Sequence, residues 1–139
     1  MGDEMNSEEQ YPYTASSDTC WADYDGVLSV LNHTAVQRNS ASQLKAAIAK
    51  QPVSVTIDAG EYPFQHYFGG IITDPTCGTA LDHAVLAVGY GVENGVEYFL
   101  VRNSWGADWG EDGYVRIGVQ DNSPGICGIQ ELALYPETD

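Results

Sequence analysis

Residues 84–103, AVLAVGYGVENGVEYFLVRN, contain two runs of strand-forming residues on either side of an Asn-Gly pair. Valine, tyrosine and phenylalanine pack well on a pleated surface, and Asn-Gly favours the tight turn that joins antiparallel strands. The segment therefore predicts a β-hairpin, with one strand from Ala84 to Tyr90 and the other from Val96 to Asn103.

The register of this hairpin decides which side chains meet at its open end. If the connection is centred on Glu93, His83 and Asn103 face each other. A tight turn on the Asn-Gly pair would instead offset them by three positions, about 10 Å along a strand. The pairing therefore requires a longer or bulged connection, and Gly89 and Gly91 make a bulge plausible.

The rest of the chain also reads mainly as strands. The predicted strands are Val27–Val36, Val53–Ile57, Tyr114–Val119 and Ile129–Leu134. One helix is predicted after the capping box of Ser40 and Gln43, and Pro52 stops it. Residues 1–26 predict no independently stable element. From Val27 onward the chain is therefore expected to form a mostly β, antiparallel barrel or sandwich with one short helix.

Composition excludes several classes of protein. The chain has 139 residues and a formal net charge of -15, which repels phosphate groups and argues against nucleic acid or an anionic membrane as a partner. Its longest apolar run, Ala84–Val88, is too short to span a bilayer. The cysteines at 20, 77 and 127 are odd in number, so at least one stays free or pairs outside the chain.

Asn32, His33 and Thr34 form an N-glycosylation sequon. Such a triplet is compatible with a secretory history, although it also arises by chance.

His83 and Asn103 are the residues best suited to chemistry. A histidine that acts as a base needs its tautomer held by an acceptor, and an asparagine oxygen can accept the ring N–H. Trp105 could shield that hydrogen bond from water. The alternatives are a structural histidine and a tryptophan that belongs to the core.

These residues lie within longer motifs that resemble the papain-like cysteine proteases, the family of the plant papains and the cathepsins. LDHAVLAVGYG and YFLVRNSWGADWGEDGYVRI resemble the family's histidine and asparagine signatures. The similarity continues in the same order through SEEQYPYTA, QPVSVTIDAG, FQHYFGGII and GICGI. It therefore covers nearly the whole chain.

The resemblance implies a role for each matching residue. His83 is similar to the base that pairs with a thiolate, Asn103 to its orienting partner, Trp105 to the shield and Asp82 to an electrostatic modulator. Cys77 and Cys127 resemble the cysteines of a disulfide. Three further residues match the wall of the pocket for the second residue before the cleaved bond, and they are Thr56, Leu81 and Leu132. Such a wall favours a bulky apolar side chain.

The resemblance also implies a place in the family's α+β fold. Residues 1–26 match the tail of the helical left-hand domain and its connector, and residues 27–139 match the barrel-like right-hand domain. The family's nucleophile lies in a CGSCW-like segment of the left-hand domain, and no C-x-x-C occurs here. Cys20 resembles a structural cysteine whose partner lies in the missing part. This chain is therefore expected to be inactive alone, because the thiolate is the attacking species.

Two hypotheses remain open. The first is the C-terminal portion of a papain-like endopeptidase, whose partners are a peptide or protein substrate and a chain or segment that carries the left-hand domain. The second is a non-catalytic structural or binding subunit derived from such a protease. No cofactor is expected, and no metal either, since the spacing from Cys77 to His83 matches no common zinc pattern. The resemblance implies a lysosomal, vacuolar or secreted location.

Overall fold

A computed structural model of the chain describes residues 3–20 and 25–138. The chain divides into two compact units, one formed by Met1–Thr34 with Pro136–Asp139 and the other by Ala35–Tyr135. Residues 1, 2 and 21–24 of the predicted left-hand tail lie outside the described residues. The domain boundary predicted at residue 26 concerns a longer protein, and it stays a prediction.

The first unit contains two paired strands. β1 (Asp3–Met5) pairs antiparallel with β2 (Leu28–Ala35), and Met5 lies opposite Leu28. The sequence did not predict this short strand, although it predicted only that residues 1–26 contain no independently stable element, and β1 depends on β2 for its pairing. Its polar sequence carries no alternation of apolar residues, and the strand exists because β2 offers it a backbone edge to pair with.

The second unit contains most of the regular structure. Its strands are β3 (Val53–Ile57), β4 (Ile71–Ile72), β5 (His83–Glu93), β6 (Val96–Arg102), β7 (Tyr114–Gly118) and the first residues of β8 (Leu132–Thr138). They pair in the open order β8-β3-β5-β6-β7-β4, and all pairs except β4 with β7 are antiparallel. The prediction of a mostly β, antiparallel domain is confirmed.

The helices are short. α1 (Ala41–Ile48) begins where the capping box predicts, since the Ser40 side chain accepts a hydrogen bond from the backbone N–H of Gln43. A second helix, α2 (Tyr62–Gln65), has only four residues and lies in a segment rich in aromatic side chains. Within the described residues, no helix has the length and apolarity needed to cross a membrane.

The β5–β6 hairpin forms, but its register differs from the one centred on Glu93. The turn is the tight one, with Glu93 opposite Val96. A bulge between Ala87 and Gly89 then shifts the ladder by one residue, so that Ala87 pairs with Val101. The predicted bulge is confirmed, while the direct pairing of His83 with Asn103 is wrong, because one extra residue removes only one of the three positions of offset.

The bulge determines which side chains share a face. Side chains alternate along a strand, so a shift of one residue turns a whole strand over. The observed ladder, continued by one position, places Val85 opposite Asn103. Without the bulge, Leu86 would take that place and His83 would point to the other face. The remaining offset of two positions leaves His83 and Asn103 as diagonal neighbours on one face.

Candidate functional site

His83 and Asn103 are joined by a hydrogen bond of 2.8 Å between Nε2 and Oδ1. The same Oδ1 accepts a hydrogen bond of 2.7 Å from the backbone N–H of Ser104. A backbone N–H can only donate, so the amide atom beside it must be the oxygen. That oxygen accepts from His83 too, which makes Nε2 the protonated nitrogen and leaves Nδ1 free for another partner.

Both side chains are held by backbone pairing. His83 begins β5 and lies opposite Ile57 of β3. Asn103 follows β6, and its backbone N–H donates to the carbonyl oxygen of Gly113 at 3.0 Å. Asn103 is only 8% exposed, and its Nδ2 has no partner among the described residues. A buried amide nitrogen without an acceptor is uncommon in folded proteins.

Aromatic rings cover one side of this pair. The Trp105 ring stacks on the imidazole of His83, with centroids 5.2 Å apart and planes at 27°. Phe64 is fully buried and packs its ring edge against Trp105 at 5.4 Å. Trp109 contacts both Phe64 and Trp105. Trp105 therefore covers one face of the imidazole, although 44% of its surface stays exposed.

The sequence did not predict that Phe64 and Trp109 pack against Trp105. Residues 62–68 contain four aromatic side chains and predict only an aromatic loop. The signal that was available is the strong aromatic content of this short segment, but contact with residue 83 depends on the tertiary fold.

Asp82 does not bond to the neighbouring histidine. Its Oδ1 accepts a hydrogen bond of 2.8 Å from the backbone N–H of Ala59, and its own N–H donates to the carbonyl oxygen of Ile57. The carboxylate thus anchors the backbone that follows β3. It can act on His83 only through its charge, at the rim of the same cleft.

An open cleft of about 450 Å³ borders the imidazole. Its lining combines small residues, polar side chains and one indole ring, namely Ala59, Gly60, Gln65, His66, Asp82, His83 and Trp105. A cleft of this size falls within the range of ligand sites in proteins. It leaves open space directly beside the imidazole ring.

Two of the three residues predicted for the pocket wall are paired across the sheet. Thr56 of β3 pairs directly with Leu132 of β8 and with Ala84 of β5, so these three side chains form a row on one face. Leu81 lies against Gly128. Ala84 was missed in the sequence because its place beside Thr56 depends on the register of β3 with β5.

The structure contains a disulfide between Cys77 and Cys127, both of which are buried. It joins two 3₁₀ turns, Pro75–Cys77 and Ile126–Gly128. The carbonyl oxygen of Cys127 also accepts a hydrogen bond of 2.8 Å from the backbone N–H of Asp58. Cys20 is exposed and unpaired in the described part of the chain.

An ion cluster supports the loop that carries the tryptophans. Arg116 donates to Glu111 from Nε at 2.9 Å and from Nη2 at 2.8 Å, and to Glu93 from Nη1 at 2.5 Å. Its hydrogen bonds hold the pKa of Glu111 below the ordinary value, and the two carboxylates raise the pKa of Arg116. Burial raises the pKa of the neighbouring Tyr67 hydroxyl. The described residues contain no group of three or more His, Cys, Asp or Glu side chains that could hold a metal ion.

Comparison with known proteins identifies the family. The family model described as papain family cysteine protease matches residues 2–137. The chain is 48% identical to germination-specific cysteine protease 1 and also 48% identical to a KDEL-tailed cysteine endopeptidase, both of Arabidopsis thaliana. Each match covers 95% of this chain and 36% or 37% of the relative. The chain thus spans a little over one third of their length.

A solved structure agrees with this result. The bromelain protease from Ananas comosus, in complex with the E64 inhibitor, is 42% identical and superposes with a TM-score of 0.85. The match covers 96% of this chain and 63% of the bromelain chain. The chain belongs to the papain family of cysteine proteases.

Proposed function

We propose that this chain supplies the base, His83, and its orienting residue, Asn103, to a papain-type peptidase site whose thiolate lies in another segment or chain. The observation that carries the proposal is the hydrogen bond from His83 Nε2 to Asn103 Oδ1. The bond from Ser104 to the same oxygen supports it, because it selects the Nε2–H tautomer. The other ring nitrogen is then available to a cysteine.

The chemistry needs both nitrogens of the imidazole. Nδ1 takes the proton of the cysteine thiol, the thiolate adds to the scissile carbonyl, and the imidazolium returns the proton to the leaving amine. Throughout these steps Asn103 keeps the ring oriented through Nε2. The stacked ring of Trp105 keeps water from competing for that bond, which strengthens it in a less polar surrounding. Asp82 contributes a nearby negative charge.

The row of Thr56, Ala84 and Leu132 supports a substrate preference. Its exposed surface is mostly apolar, since Leu132 is 45% exposed and alanine presents only a methyl group. We propose that it receives a bulky apolar side chain at the second residue before the cleaved bond. Leu81, which packs against Gly128, is proposed to form a further part of this wall.

The proposal also covers the domain organisation and the location of the protein. Residues 1–26 are proposed to complete a left-hand domain, and residues 27–139 to form the right-hand domain. A vacuolar or secreted location is proposed on the basis of the plant relatives. The KDEL tail in the name of one of them is an endoplasmic reticulum retention signal, which supports a secretory route.

The test is reconstitution with a chain that carries a CGSCW-like segment. The mixture should cleave a peptide with an apolar residue before arginine, and a thiol-directed epoxide should label the partner chain. His83→Ala should lower kcat at least about a hundred-fold, which is the usual contribution of a positioned base. Asn103→Ala should lower kcat about ten- to a hundred-fold, because it removes a hydrogen bond to a charged ring.

A matched control is available in His33, which is exposed on β2. His33→Ala should leave kcat unchanged. If the partner chain binds and its thiol is labelled but no peptide is cleaved, the catalytic proposal is wrong. The same outcome would favour the second hypothesis, a non-catalytic subunit.

A further inference from the structure

We propose that Asn32 is an N-glycosylation site. This inference rests on the secretory location that forms part of the proposed function. The donor is an oligosaccharide linked through pyrophosphate to a polyprenyl lipid. The Asn32 Nδ2 loses a proton and bonds to the anomeric carbon of the first sugar, while the bond from that carbon to the pyrophosphate oxygen breaks and the lipid pyrophosphate leaves with the electron pair.

The sequence singles out this residue. The chain has asparagines at positions 6, 32, 39, 94, 103 and 122, and only Asn32 is followed two residues later by serine or threonine. The residue between them, His33, is not proline. Asn32 therefore meets both conditions of the acceptor motif.

The fold leaves Asn32 open for a bulky group. Leu31, Asn32 and His33 are all exposed on β2, and the described pairing of β1 with β2 ends at Val30. The Asn32 Oδ1 accepts a hydrogen bond of 2.8 Å from the backbone N–H of His33. No described residue accepts a hydrogen bond from Nδ2, so a glycan on that nitrogen replaces no hydrogen bond within the described part of the chain.

The Thr34 hydroxyl of the acceptor motif meets its hydrogen-bond partner only late in the synthesis of the chain. In the folded chain Thr34 Oγ1 donates a hydrogen bond to the carboxylate of Glu137, which lies 103 residues further along. The unit that contains Asn32 also needs residues from Pro136 onward. Chains grow at about 5 to 20 residues per second, so the motif waits roughly 5 to 20 s for its partner. During that time the enzyme that transfers the oligosaccharide can recognise the Thr34 hydroxyl.

This wait explains how a residue in a β-strand can be modified. Enzymes that attach the glycan act on accessible, unpaired chain, whereas the final pairing of Thr34 closes the motif. The glycan is therefore attached before Thr34 forms its hydrogen bond to Glu137.

The first experiment uses the protein from its natural source. Treatment with an N-glycan amidase in heavy-oxygen water should convert Asn32 to a heavy-oxygen aspartate, which peptide mass analysis detects. Recovery of residue 32 entirely as unmodified asparagine would overturn the inference.

The second experiment tests whether the acceptor motif itself determines the modification. The full chain, placed behind a cleavable secretion signal, is translated with endoplasmic reticulum microsomes. The natural sequence and Thr34→Ser should gain one glycan, while Asn32→Gln and Thr34→Ala should gain none. Thr34→Ser is the matched control, since it keeps the hydroxyl that bonds to Glu137. A glycan that persists in Asn32→Gln would also refute the assignment.

Failure here can be separated from failure of the proposed function. Peptidase activity reconstituted with protein from the natural source, in which Asn32 carries no glycan, overturns this inference alone. A glycan on a protein that supports no cleavage overturns the peptidase proposal alone.

Discussion

Replacing Glu111 by glutamine is expected to lower the free energy of unfolding by about 2 kcal/mol at neutral pH. The carboxylate accepts two hydrogen bonds from Arg116, at 2.9 and 2.8 Å, and one of 3.0 Å from the backbone N–H of Gly70. A glutamine keeps the shape but replaces one carboxylate oxygen by an NH₂ group. That group is itself a donor, so it cannot form a hydrogen bond with the N–H donor that it faces. The substitution therefore removes charge and at least one bond.

The magnitude follows from the exposure of the two partners. Breaking a fully buried ion pair costs about 3 to 5 kcal/mol, and an exposed pair is worth less than about 1 kcal/mol. The Arg116 side chain is 17% exposed and that of Glu111 is 33% exposed, so this pair lies between the limits. Arg116 also keeps its contact with Glu93 at 2.5 Å. These two facts place the cost between the two limits, at about 2 kcal/mol.

The effect should depend on pH in one direction. The pKa of Glu111 is lowered in the folded chain by the hydrogen bonds of Arg116, while the unfolded carboxyl titrates near its ordinary value of about 4.3. The stabilisation is then fully present above that value and is lost as the pH falls through the folded pKa. Below it the natural carboxyl is protonated and resembles glutamine, so the two proteins should become nearly equal in stability.

Urea unfolding followed by tryptophan fluorescence measures this difference between pH 7 and pH 3. The matched control is Glu97→Gln, because Glu97 pairs with Lys45 at 2.7 Å but is 50% exposed. That control should cost less than about 1 kcal/mol. A Glu111→Gln cost that is the same at pH 3 and pH 7, or no greater than that of the control, would refute the reasoning.

Two further predictions concern the turns around the site. Removal of the disulfide by Cys77→Ala with Cys127→Ala should cost about 4 kcal/mol from the loop-closure relation for a separation of 50 residues, and both native thiols should resist alkylation until the protein is reduced and unfolded. Gly78→Ala should destabilise the chain by more than about 1 kcal/mol, because the residue has a φ of 76° and a Cβ would lie 2.3 Å from the Asp58 carboxylate. Gly95→Ala is the control for that change, with a φ of 80° and no atom within 4 Å of a Cβ; its urea midpoint should fall less.

Much of the fold could be predicted because its signals are local. Alternating β-branched residues mark Val53–Ile57, and the Asn-Gly turn marks the hairpin between β5 and β6. The Ser40 cap marks the start of the helix. Each signal depends on residues that are close in sequence, so no knowledge of the distant chain is required. The short strand β1 escaped prediction because only its partner strand creates it.

The candidate site also combines residues that the sequence identified with contacts that only the fold creates. His83, Asn103 and Trp105 were identified from the sequence as a set, and the structure brings them together. The row of Thr56, Ala84 and Leu132 depends on the register of three strands. The contribution of Phe64 depends on packing between segments that are separated by about twenty residues or more, which no local pattern reveals.

By itself the sequence determined the residue types of the candidate site, the tight turn between its two strands and the absence of a C-x-x-C segment. Only the tertiary structure decided the face on which those residues meet. That decision depends on one extra residue between Ala87 and Gly89. Because side chains alternate with a period of two, a bulge of one residue moves His83 to the side of Asn103, and the energy that selects this register comes from the burial of the whole sheet rather than from the hairpin.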